Sequence, residues 1–136
     1  MTKISKKYIA VINGALKNDE GIINVPIKRA QEGIILRCVA EDGKEAITEY
    51  KVLNKSEKLS LVELIPVTGK THQLRVHMSY MKTPIYGDDL YGAPQKDENI
   101  RLHCAEISFR HPFLDKTITI TAKIPDDIEE IINGNF

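Results

Sequence analysis

Two stretches with an apolar period of two, followed by one with a helical period, constrain this chain most. From Ile47 to Leu53, Thr48, Tyr50 and Val52 point one way and Ile47, Glu49, Lys51 and Leu53 the other. Leu59 to Ile65 alternates too, with Leu59, Leu61 and Glu63 on one face. Lys55-Ser56-Glu57-Lys58 joins the two as an antiparallel hairpin. Past Pro66 the period changes. Thr71 is placed to cap a helix whose stripe is Leu74, Met78 and Met81, at i, i+4 and i+7, with Pro84 ending it. Arg75 lies one residue round from that stripe and shares a face with His72.

The remaining segments are mostly strands. Tyr8 to Ile12 stops at Asn13-Gly14, Ile22 to Ile27 is punctuated by Gly21 and Pro26, and Ile34 to Val39 closes on the turn Glu41-Asp42-Gly43. Pro84 to Pro94 reads as loop, and Leu102 to Phe109 and Thr117 to Ala122 as strands. Pro125-Asp126-Asp127 opens a short helix carrying Ile128, Ile131 and Ile132, with Gly134 as its stop. The sum is an α+β chain, mainly antiparallel or mixed sheet with a few short helices.

A chain of 136 residues, 42% hydrophobic, fits one domain and excludes a disordered polymer. No apolar run reaches the length of a membrane span, and no secretion signal follows Met1. Cys38 and Cys104 give no disulfide framework, so a reduced, cytoplasmic protein is expected. The formal charge is zero, but residues 1–83 hold 14 Lys+Arg against 9 Asp+Glu, and residues 84–136 hold 5 against 10. Basic charge is thus concentrated where it can meet phosphate.

Several motifs resolve to ordinary readings. Gly69-Lys70-Thr71 imitates the end of a P-loop, but the required upstream glycine is Leu64. His72 and His77, five apart, splay around a helix rather than sharing a metal, so no metal site is assigned and the histidines are read as structural. Asp88-Asp89, beside Gly87, reads as a pair of turn acids. The run from Val67 to His77 gathers Thr, Lys, His, Gln and Arg at a loop-to-helix junction; an anion site and a capped polar helix fit it equally.

The run TGKTHQLRVH (Thr68 to His77) closely resembles the signature of the RluA-like RNA pseudouridine synthases. KKYIAVING (Lys6 to Gly14) resembles the family's active-site tyrosine strand, and AITEYKVL (Ala46 to Leu53) the strand before the signature. PIYGDDLYG (Pro84 to Gly92) resembles the loop after it, and RLHCAEISFRHP (Arg101 to Pro112) the later strand. The resemblance implies a partial pseudouridine synthase fold that isomerises uridine in ribosomal or transfer RNA, independent of metal and cofactor. Tyr8 matches the tyrosine that contacts the base and aids proton removal at C5. Arg75 matches the arginine that pairs with a catalytic aspartate, and Leu102 the apolar residue that packs on uracil. Lys70, Thr71, His72 and Gln73 are the substrate-binding candidates.

Lys70 stands where the family more often has Arg, and Cys104 where Ala is common. One departure is larger. The family aspartate lies in a His-Arg-Leu-Asp motif ahead of the tyrosine strand, and that motif occurs nowhere in this sequence. The expectation is a C-terminal portion of the catalytic domain over residues 1–136, inactive alone; the alternative is a degenerate RNA-binding module. Arg75 is then expected to be exposed, or held by an anion or another acidic side chain. An uncovered sheet edge is expected to favour pairing between copies.

Overall fold

The computed structural model describes residues 4–31, 36–92 and 98–135. Its spine is an antiparallel sheet of six strands in the order β2-β5-β6-β1-β7-β8. These are β1 Ile4–Asn13, β2 Glu20–Asn24, β5 Ile47–Lys55, β6 Leu59–Pro66, β7 Leu102–Arg110 and β8 Thr117–Thr121. A separate hairpin joins β3 Ile27–Arg29 to β4 Arg37–Val39. The helices are α1 Gln73–Tyr80 and α2 Asp126–Asn135.

Alternation places β5 as expected: Thr48 and Tyr50 are buried while Glu49, Lys51 and Leu53 are exposed. The β5–β6 hairpin pairs Tyr50 with Leu64 and Val52 with Val62. In β6 both faces carry packing. Val62 and Leu64 join the core under α1, with Ala10, Ile12, Leu74 and Met78. Leu59 and Leu61 join Val11 and Ile128 of α2 on the opposite face. Tyr8 lies on the α1 side, because residues two apart on a strand share a face.

Three expectations need correction. The stretch Ile22 to Ile27 is two strands, because Pro26 breaks the ladder and Ile27 turns away to pair with Val39. Thr71 does not cap α1. The cap position is His72, in a left-handed backbone conformation (φ 56°) with no side-chain cap bond. The helix also stops at Tyr80, ahead of Pro84, where Lys82 adopts φ 64°. The expected third strand is present as Arg37–Val39, and Ile34 and Ile35 lie outside the described residues. Among the described residues no helix is long and apolar enough to cross a membrane.

Candidate active site

The loop between β6 and α1 is held in place by a chain of buried polar groups. Gln73 is 3% exposed, and its amide is fully used inside the protein. Its Nε2 donates to the Ile47 carbonyl (2.8 Å) and to Thr48 Oγ1 (3.0 Å). Its Oε1 accepts from Thr68 Oγ1 (2.7 Å) and the Lys70 amide (3.0 Å). His77 Nε2 faces the Val25 carbonyl, which can only accept, so in the neutral ring Nδ1 is the acceptor and takes the Thr48 hydroxyl proton at 2.8 Å. His77 Nε2 then donates to the Val25 carbonyl at 3.0 Å. Burial lowers the His77 pKa, with the Val25 bond a smaller opposing effect, so the neutral ring fits this network. These bonds tie α1 and its entry loop to β5 and to the end of β2.

That anchoring shapes a cleft of about 330 Å³ along the α1 side of the sheet. Tyr8 from β1, Leu102 from β7 and Arg75 from α1 line it together with Lys6, Lys70, His72 and Gln73. The residues singled out from sequence therefore meet in one place, with two exceptions of role. Thr71 faces a neighbouring groove, and Gln73 supports the wall with no hydrogen-bonding capacity left over. Burial, and then the Cys104 thiol opposite it on β7, raise the Tyr8 phenol above its ordinary pKa. Tyr8 is therefore a neutral phenol near pH 7.

Asp88 departs most from its sequence reading. It does act as a turn acid, since Oδ1 accepts the Leu90 amide at 3.2 Å, but its side chain is also fully buried and grips Arg75 with both oxygens, Nε to Oδ2 at 3.0 Å and Nη2 to Oδ1 at 2.7 Å. Gly87 makes this approach possible. Its φ is +83°, and a Cβ there would collide with the carbonyl of Asn99. The Asp88 hydrogen bonds raise the Arg75 pKa further and fix the inner edge of the guanidinium. The outer edge, Nη1 and the second Nη2 hydrogen, makes no bond to the protein among the described residues. The expectation of another acidic side chain on Arg75 is met.

Tyr91 completes the support. Its ring lies 5.2 Å from the Arg75 guanidinium carbon, and its hydroxyl is 2.6 Å from His72 Nδ1. That hydroxyl also accepts the Arg37 amide at 3.2 Å, tying the cleft to the β3–β4 hairpin. Burial first, then Arg75 and Arg37, lower the His72 pKa, so a neutral ring receives the tyrosine proton at Nδ1. Beside the cleft, Lys28, Arg29, Arg37, Lys44, Lys70 and Thr71 line a groove of about 380 Å³, and Lys70 belongs to both. Asp88 and Tyr91 were missed as functional residues from sequence. Their one signal there was membership of the block PIYGDDLYG.

Residues 1–80 match the model of a family described as RNA pseudouridylate synthase. The chain belongs to that family. It is 36% identical over 132 residues to the uncharacterized RNA pseudouridine synthase YjbO of Bacillus subtilis, covering 96% of this chain and 47% of YjbO. It is 39% identical over 115 residues to the dual-specificity RNA pseudouridine synthase RluA of Vibrio cholerae, covering 79% of this chain and 45% of that one. The solved structure of Human RNA Pseudouridylate Synthase Domain Containing 4 matches with a TM-score of 0.77 at 26% identity, over 96% of this chain and 61% of that one. The chain thus spans less than half the length of these curated relatives.

Proposed function

We propose that the cleft receives a uridine of RNA and forms one wall of a site that isomerises it to pseudouridine. The convergence of Tyr8, Arg75 and Leu102, from distant segments, on one cation-rimmed cleft carries this reading. A base turned out of its stack needs an apolar or aromatic wall, which Leu102 and the Tyr8 ring offer. Isomerisation breaks the N1–C1′ bond and forms a C5–C1′ bond; C5 loses a proton and N1 gains one. The neutral Tyr8 phenol brings a lone pair and a proton to that exchange. The outer edge of Arg75 is suited to a carboxylate, since its planar fork matches two oxygens.

Lys70 and Lys6 sit where flanking phosphates need neutralising, and the groove with Lys28, Arg29, Arg37 and Lys44 extends that positive path. Thr71 meets the RNA backbone along this groove, His72 borders the base, and Gln73 acts by holding the loop. The RNA class is ribosomal or transfer RNA, met in the cytoplasm with no membrane and no cofactor.

No carboxylate lines the cleft among the described residues. The 136-residue chain by itself is therefore expected to bind RNA without turning it over. Tritium release from C5-labelled RNA tests this: the expected signal is background, and multiple-turnover release refutes it. The same lining favours the second reading, an RNA-binding module without chemistry. If that one is right, no added polypeptide restores release. Filter binding that detects no complex even at low salt removes both readings.

A further inference from the structure

Tyr91 does not line the cleft, yet three parts of the site rest on it. Its ring packs against Ile27, Ala46 and Val76 and lies 5.2 Å from the Arg75 guanidinium carbon. Its carbonyl accepts from Ser79 Oγ at 2.7 Å, which ties it to the last turn of α1. Its hydroxyl accepts the Arg37 amide at 3.2 Å and lies 2.6 Å from His72 Nδ1. A phenol has one proton to give, and the Arg37 N–H is itself a donor. Burial, then Arg75 and Arg37, keep the His72 ring neutral, so the phenol proton goes to its Nδ1.

The consequence falls on the other ring nitrogen. A neutral imidazole that accepts at Nδ1 carries its proton on Nε2. His72 lines the cleft, whereas its partner Tyr91 lines a separate pocket with Cys38 and Tyr80. The two nitrogens point in widely different directions, so the bond at Nδ1 leaves Nε2–H for the cleft. Nε2 makes no bond to the protein among the described residues and reaches solvent. The ring is not spent on the helix either. His72 occupies the cap position of α1 in a left-handed backbone (φ 56°) and makes no side-chain cap bond. A non-glycine residue in that region is held there by its surroundings, and such residues gather at functional sites. Here the placement presents one neutral N–H donor to the cleft.

We infer that Tyr91 is a positioning residue: its hydroxyl locks His72 as the Nε2–H tautomer, and that N–H donates to a carbonyl oxygen of the base in the cleft. The base half of this inference rests on the function proposed above; the tautomer half does not. A neutral donor suits a carbonyl, while the flanking phosphates have Lys6 and Lys70. Uracil offers two such acceptors, O2 and O4. A donor at O4 also disfavours cytosine, which carries an amino group there.

The test uses the full chain, isotope-labelled for nuclear magnetic resonance. The probes are uridine 5′-monophosphate, its 2-thio and 4-thio analogues, and ribose 5-phosphate, which has no base. Long-range proton–nitrogen spectra of the free chain in neutral buffer are expected to show His72 protonated at Nε2 and bare at Nδ1. Tyr91→Phe keeps a ring beside Arg75 and is expected to lose that preference. Uridine 5′-monophosphate is expected to shift Nε2–H together with Tyr8 and Leu102, and ribose 5-phosphate to leave Nε2–H in place. Sulfur, a poorer acceptor, at one of the two carbonyls is expected to weaken binding about two- to tenfold, and Tyr91→Phe to do the same. His72→Gln supplies an amide donor that needs no tautomer, so in that background Tyr91→Phe is expected to cost nothing further. His72 protonated at Nδ1 in the free chain overturns the inference, and so does indifference to both thio analogues. An Nε2–H that stays still while uridine 5′-monophosphate moves Tyr8 and Leu102, or that moves equally with ribose 5-phosphate, overturns it too and leaves the proposed function standing. A nucleotide that moves none of these resonances sinks that function and the base contact with it.

Discussion

Asp88→Asn isolates the contribution of the Arg75 support, because it keeps the shape of the side chain and removes its charge. The carboxylate is fully buried and makes both of its strong bonds to one guanidinium, at 3.0 and 2.7 Å. An amide can accept from one of those donors, and it turns its own N–H₂ toward the other. Removing one member of a buried ion pair costs about 3–5 kcal/mol. The Arg75 side chain is 21% exposed, so water recovers part of that loss, and about 2–3 kcal/mol is the figure to expect. With a urea slope of about 2 kcal/mol per molar, the unfolding midpoint falls by about 1–1.5 M. Pairing Asp88→Asn with Arg75→Gln removes the stranded cation and is expected to return much of the loss. The double-mutant cycle reads the coupling directly. A loss below about 0.5 kcal/mol, the range of an ordinary surface change, refutes the reasoning.

Other consequences are equally direct. His77 has a pKa lowered by burial, so the unfolded chain binds its proton first as pH falls. Its contribution to stability is complete above the unfolded value near 6.5 and declines below it; urea midpoints from pH 7.5 to 5 are expected to fall, with a shallower slope in His77→Gln. RNA affinity is expected to drop with salt, and Lys44→Ala or Arg29→Ala each to reduce the single-strand slope by about 0.7, as read by filter binding. Gly87→Ala is expected to cost about 1–3 kcal/mol in urea unfolding, since it combines positive φ with a backbone collision. A midpoint unchanged in that variant removes the steric account of how Asp88 is presented.

What the sequence made legible follows physical range. The β5–β6 hairpin and α1 rest on local periodicity, and both are present, α1 shorter at each end than the pattern placed it. The convergence of Tyr8, Arg75 and Leu102 came from resemblance alone, since no spacing rule links residues in three separate segments. Pro26 and Thr71 were misread because tertiary pairing, of Ile27 with Val39 and of Gln73 with β5, outweighed local preference. The turn reading of Asp88 was incomplete for a related reason. An acid beside Gly87 has the composition of a turn, and only the fold shows that α1 delivers a guanidinium to it.

The Asp88–Arg75 pair has one more consequence, for the order of events in binding. An arginine that depended on an incoming carboxylate would stay mobile until that group arrived, and association would carry the cost of ordering it. Here the guanidinium is already fixed by a resident anion beneath it and by the Tyr91 ring beside it. The site wall is set at folding, ahead of any encounter. A ligand then meets a finished cation, and little ordering entropy is lost at the cleft.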